Sequence, residues 1–120
     1  MSKEQALLKE YIMGDIKLRN RVVMAPMTRS RANNTENAPT DLMAKYYEQR
    51  ASARLIITEG SQISKRAVGY INTPGIYSTA QVEGWQIVTD NCKFFCYRQM
   101  QYLQVLFASY EKRPMLVFME

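Results

Sequence analysis

The chain has 120 residues, of which 47% are hydrophobic and 22% charged, with a net charge of +5 and no histidine. That composition is expected of a soluble globular protein, and the length allows one ordinary domain but only about half of a complete eight-stranded α/β barrel. The basic residues are scattered among acidic ones, which argues for a mixed solvated surface and against a nucleic-acid footprint, and no stretch reads as a signal peptide or a membrane span. A cytoplasmic protein is expected.

Residues 1 to 10 form a polar lead-in. Tyr11-Ile12-Met13, Gly14-Asp15 and Ile16-Lys17-Leu18 then predict a β-hairpin with Gly14 in a turn that needs positive φ. Val22, Val23, Met24 and Ala25 make a continuous apolar run, the pattern of a strand buried on both faces in a parallel sheet. Pro26 cannot donate to a ladder, so pairing ends about there and Met27-Thr28 begin a loop at the strand's carboxyl end, where ligands sit in α/β folds. Arg29 to Thr40 is a polar loop. Thr40 is a good N-cap with Asp41 in the first turn, predicting a helix from 41 to 52 whose broad face holds Leu42, Met43, Tyr46, Tyr47 and Arg50. The two tyrosines are expected to pack against the sheet. Leu55-Ile56-Ile57-Thr58 is the next buried strand, closed by Glu59-Gly60, and the three elements make a right-handed βαβ unit.

A second long loop, Ser61 to Tyr77, is punctuated by Gly69, Pro74 and Gly75. Ser78 followed three residues later by Gln81 predicts a capped helix with Val82, Trp85 and Val88 or Thr89 facing inward, Trp85 as a core anchor. The composition changes at Asn91: from there to Glu120 there is no glycine, and all four phenylalanines and both cysteines lie in it. Cys92 and Cys96, four apart and without a histidine to complete a zinc set, read as reduced thiols, so no metal site is expected. Cys96, Met100, Leu103, Phe107 and Tyr110 fall at spacings of four and three, which predicts an amphipathic helical tail.

Four blocks of this sequence resemble, in the same order, the old yellow enzyme family, the FMN-dependent NAD(P)H:flavin oxidoreductases that include the 12-oxophytodienoate reductases. They are Asn20 to Arg29, Tyr46 to Ala53, Ile56 to Gly60, and Gly69-Tyr70 with Pro74 to Ser78. The resemblance covers residues 12 to 90. It implies a partial (β/α)₈ TIM barrel, an α/β fold comprising the bottom hairpin and the first two βα units over residues 1–90, with 91–120 as a divergent tail. An alternative exon, a frame shift or a gene-model error would each produce such a break.

The resemblance also implies a site. Ala25, Pro26 and Met27 would present backbone to the flavin ring, Thr28 would donate its hydroxyl to the flavin, and Gly60 would allow close backbone approach; FMN is the implied cofactor and NAD(P)H the reductant. The implied reaction is reduction of the activated C=C of an α,β-unsaturated carbonyl substrate. The family grips the substrate carbonyl with a His/Asn or His/His pair, and this chain has no histidine. No catalytic residue is therefore assigned, and the chain is expected to be a truncated, weakly active or inactive piece. The alternative is a non-catalytic interaction module that docks on a full-length relative or on itself through an open sheet edge. Arg54, where the family tends to have a small residue, is expected to reach out at the barrel's lower rim.

Overall fold

The computed structural model describes the backbone of residues 5–97, 104–107 and 115–116, and side chains up to residue 92. The hairpin forms as predicted: β1 (Tyr11–Met13) and β2 (Ile16–Leu18) pair antiparallel with Tyr11 opposite Leu18, and Gly14 turns the chain at φ +59°. Leu18 points inward and is buried, whereas Ile12 lies on the surface.

The main sheet has the order β3-β4-β5-β6, with β3 (Val23–Met24), β4 (Leu55–Ile57) and β5 (Gln104–Phe107) parallel and β6 (Met115–Leu116) antiparallel to β5. Val23 stands opposite Leu55 and Met24 opposite Ile56. Two helices cover one face, α1 (Asp41–Glu48) and α2 (Thr79–Tyr97). Between sheet and helices lies a core of Met24, Met43, Ala44, Tyr47, Ile56, Trp85, Val88 and Cys92. Burying a side chain such as Met43 or Ile56 contributes about 1.5–3 kcal/mol, so this layer is what holds the βαβ unit together.

Thr40 caps α1 as its position predicts: its Oγ1 accepts the Met43 amide at 3.3 Å. The helix stops at Glu48, four residues short of expectation, and Gln49 to Ala53 continue in turns. The capping box of α2 also forms reciprocally, since Gln81 N donates to Ser78 Oγ at 3.3 Å and Ser78 N to Gln81 Oε1 at 3.1 Å. Trp85 is the expected anchor, 2% exposed, with its indole N–H donating to Gly75 O at 3.1 Å. Val88 and Thr89 both face inward, but Val82 is 42% exposed, one step off the buried stripe.

Three further expectations are corrected. The run Val22 to Ala25 is not buried on both faces: Met24 enters the core, while Val22 and Val23 are 40% and 46% exposed. The helical layer covers the side to which Met24 points, and among the described residues β3 pairs only with β4. Arg54 does not reach out; it is 3% exposed, and its amide donates to Val22 O at 3.0 Å, linking the starts of β4 and β3. The tail is not one helix. Cys96 belongs to α2, but residues 104–107 form β5, because Val105-Leu106-Phe107 suits a strand and takes up the second edge of β4. Met100, Leu103 and Tyr110 lie outside the described residues.

Candidate functional site

Since β3 and β4 run parallel, the segments that follow them leave the sheet by the same edge. Ala25, Pro26, Met27 and Thr28 follow β3 and are all exposed; Thr58, Glu59 and Gly60 follow β4, the first two buried. The topology therefore brings together the five residues singled out in the sequence. At Gly60 a Cβ would meet nothing within 4 Å, so the backbone there borders open space.

Both loops are held firmly on the rest of the chain. Ala32 N donates to Asn72 O and Gly75 N to Asn37 O, each at 3.0 Å, and Gln81 Nε2 reaches Glu36 O at 2.8 Å. Asn34 spans its own turn, accepting from Ala38 N and donating to Ala38 O. The two backbone links join the loop after β3 to the loop after β4, the Gln81 bond ties the first of these loops to α2, and Asn34 closes a turn within that same loop. The mouth is thus framed by a connected pair of loops.

Under the mouth sits a buried acid that sequence reasoning passed over. Glu59 has no exposed surface. Its Oε1 accepts the Tyr47 hydroxyl at 3.2 Å, its Oε2 accepts the Arg29 amide at 3.2 Å, and its own amide donates to Tyr47 Oη at 3.0 Å. Burial pushes the Glu59 carboxyl above the usual carboxylate range, opposed by the hydrogen bonds from Arg29 and Tyr47 and by the Arg29 charge. Burial likewise pushes the Tyr47 hydroxyl up, reinforced by the Glu59 charge. The sequence held only a partial signal: Glu59 comes just after the Leu55-Ile56-Ile57-Thr58 run, and a carboxylate that such a strand carries into the core has to be satisfied internally. Tyr47 does pack against the sheet as expected, and its hydroxyl has this second role.

Arg29 also shapes the outer wall. Its guanidinium lies over the Tyr46 ring at 5.1 Å, and that of Arg50 at 3.7 Å. A cavity of about 210 Å³ opens beside them, bounded by Arg31, Leu42, Lys45 and Gln49. None of the five sequence-chosen residues lines it. Among the described residues there is no helix long and apolar enough to cross a membrane.

A parallel βαβ unit with an exposed Pro-Met-Thr loop and a glycine-bordered opening on its carboxyl edge is an α/β arrangement of the kind in which ligands are held at the carboxyl ends of the strands. The profile of the NADH:flavin oxidoreductase / NADH oxidase family matches residues 7–95, and the chain belongs to that family. The chain is 51% identical over 80 residues, or 65% of its length, to chanoclavine-I aldehyde reductase of Penicillium roqueforti, and 45% identical over 84 residues, or 70% of its length, to a probable flavin mononucleotide-dependent alkene reductase of Leishmania infantum. Those stretches are 21% and 23% of the two relatives, so the chain spans about a fifth to a quarter of their length. In three dimensions it is similar to the old yellow enzyme homologue of Zymomonas mobilis, with a TM-score of 0.76 and 36% identity over 88% of this chain and 28% of the other.

Proposed function

We propose that this chain supplies the first two strand-and-loop units of the flavin site of an NAD(P)H-dependent ene-reductase, acting on α,β-unsaturated carbonyl compounds. The observation that carries this reading is the arrangement of the mouth: the exposed loop Ala25 to Thr28 and the open space bordering Gly60 share one edge of the sheet, in a chain of a flavin oxidoreductase family. Ala25, Pro26 and Met27 are the residues whose backbone would lie against FMN, and Gly60 is the residue whose missing side chain admits it. When bound, FMN supplies the hydride chemistry. The chain's part is to orient the ring and to donate a hydrogen bond from the Thr28 hydroxyl, which favours the reduced, anionic form.

With no histidine among the 120 residues, the chain holds no imidazole pair for a substrate carbonyl. The reading therefore assigns flavin contact to residues 1–90 and treats 91–120 as the divergent part; turnover by these residues alone is not expected. The test is flavin retention: purified chain, loaded with FMN and desalted, should keep a protein-bound absorbance band with altered fluorescence. Loss of all flavin on desalting would reduce the reading to common ancestry. NADPH-dependent reduction of cyclohexenone faster than free FMN supports would overturn the assignment of contact without turnover.

One observation favours a second reading, association of the chain with a relative or a second copy. Among the described residues β3 is the end strand of its sheet, paired on one edge with β4, and its Val23 is 46% exposed. Such an edge is a template for another strand. Sizing chromatography at micromolar concentration decides it, since a sharp monomer peak would dismiss the reading.

A further inference from the structure

We infer that Glu59 is a positioning residue of the flavin mouth, setting the presentation of Thr28 through the backbone amide of Arg29. This rests on the flavin reading above and goes beyond it, because Glu59 lies beneath the loop surface and is assigned no contact with the ring.

The Thr28 carbonyl and the Arg29 N–H share one rigid plane, so a partner that fixes the Arg29 amide also fixes the plane to which Thr28 is attached. Glu59 Oε2 is that partner, at 3.2 Å. Glu59 is held in turn. Its second oxygen takes the Tyr47 hydroxyl proton, and Tyr47 Oη takes the Glu59 amide proton, so side chain and backbone of Glu59 are both fastened to one tyrosine of α1. Tyr47 is 1% exposed and packs on Trp85 at a ring separation of 6.1 Å. A chain of contacts therefore runs from the helical layer through Tyr47 and Glu59 to the loop carrying Thr28. Its last link is a side chain of the short segment after β4, next in sequence to Gly60. One residue thus relates the two halves of the mouth, donor and opening, to each other.

The choice of side chain follows from counting donors. Arg29 N–H and Tyr47 O–H are two donors pointing at one group, and a carboxylate offers an acceptor to each. Glutamine offers one acceptor: turned so that its oxygen meets Arg29 N–H, its NH₂ faces Tyr47 Oη, which has a lone pair to accept it. Glu59→Gln thus keeps the tether. Glu59→Met, of similar length and without an acceptor, removes it and leaves both donors unpaired.

The experiment compares the full chain with Glu59→Gln, Glu59→Met and Tyr47→Phe, with folding checked by circular dichroism and urea unfolding. Two readouts are taken. The first, on flavin-free protein, is hydrogen exchange of the Arg29 amide and the chemical shift of the Thr28 methyl. Wild type and Glu59→Gln should show a protected Arg29 amide and the same Thr28 shift; Glu59→Met should lose the protection and move the shift. The second is FMN titration, in which Glu59→Met should weaken affinity about tenfold or more while Glu59→Gln stays near wild type and Tyr47→Phe, which unfastens Glu59 but leaves its bond to Arg29, weakens it by less than Glu59→Met. A folded Glu59→Met chain with an unmoved Thr28 resonance overturns the inference, as does one that binds FMN like wild type. If wild-type chain binds no FMN, the flavin reading fails, and the exchange and shift data still decide whether Glu59 sets Thr28.

Discussion

Gly84 of α2 meets Pro39 at the foot of α1 so closely that a Cβ on Gly84 would lie 2.8 Å from the proline Cδ and 2.9 Å from its carbonyl oxygen. Neither atom belongs to a flexible side chain end, so one of the two segments would have to move. In an open helix, replacing glycine with alanine stabilises by about 0.5–1 kcal/mol. Here the sign should reverse, and Gly84→Ala is expected to cost about 1–3 kcal/mol, seen as a lower urea midpoint at unchanged slope. A variant as stable as the parent would mean that the helices stand further apart.

Gln81 and Gly75 should be energetically coupled. Gln81 closes the capping box, accepts the Tyr77 amide at 2.9 Å and donates to Glu36 O, while a Cβ on Gly75 would sit 2.5 Å from the Gln81 amide. Gln81→Ala removes these bonds at about 1–3 kcal/mol, and Gly75→Ala forces the glutamine aside. The double variant should be less destabilised than the sum of the singles, because the collision is gone once the side chain is. A strictly additive thermodynamic cycle would contradict this.

Gly60 separates binding from folding. Open space surrounds the position where its Cβ would be, and no positive φ has to be maintained there. Gly60→Val should leave stability within about 0.5 kcal/mol of the parent while abolishing retention of FMN on desalting. Equal retention by parent and variant would place the flavin elsewhere.

The Glu59–Tyr47 pair predicts a pH dependence. Both groups have folded-state values raised above their ordinary ones of 4.5 and 10.0, so each contributes stability that is present below its ordinary value and lost as pH rises through the folded one. The difference in stability between wild type and Glu59→Gln should accordingly move against wild type as pH rises from about 4.5, with other carboxylates cancelling in the comparison. Tyr47→Phe should lessen the loss of stability above pH 10. A pH-independent difference between wild type and Glu59→Gln would show that the carboxyl titrates no differently in the folded and unfolded chains.

Most of the backbone plan up to residue 90 was legible because it depends on local chemistry. Gly14 turns a hairpin, Thr40 and Ser78 begin helices, and Pro26 ends a strand, each for reasons contained in a few neighbouring residues. Burial was legible on the helices, through Tyr47, Trp85 and Val88, and only in part on the strands. Leu55 and Ile56 on the central strand met expectation, whereas Val22 and Val23 on the edge did not, since an apolar run does not reveal how many layers surround it. The tail was misread because its spacing fits a helix while Val105-Leu106-Phe107 answers a non-local demand, the unpaired edge of β4. The placement of Ala25 to Thr28 and of Gly60 after two parallel strands was legible from the apolar runs that precede them. Glu59 was not singled out, because a carboxylate in a loop reads as solvated until the fold places a tyrosine from 12 residues away against it.

Trp85 is the only tryptophan in the chain, and it joins the loop before α2 to the helical core through its bond to Gly75 O. The protein therefore has a single intrinsic optical gauge at the junction where loop and helix meet. Excited at its own wavelength, the chain reports on that one place: loosening of the loop from α2 should wet the indole and shift its emission to the red before the sheet itself comes apart.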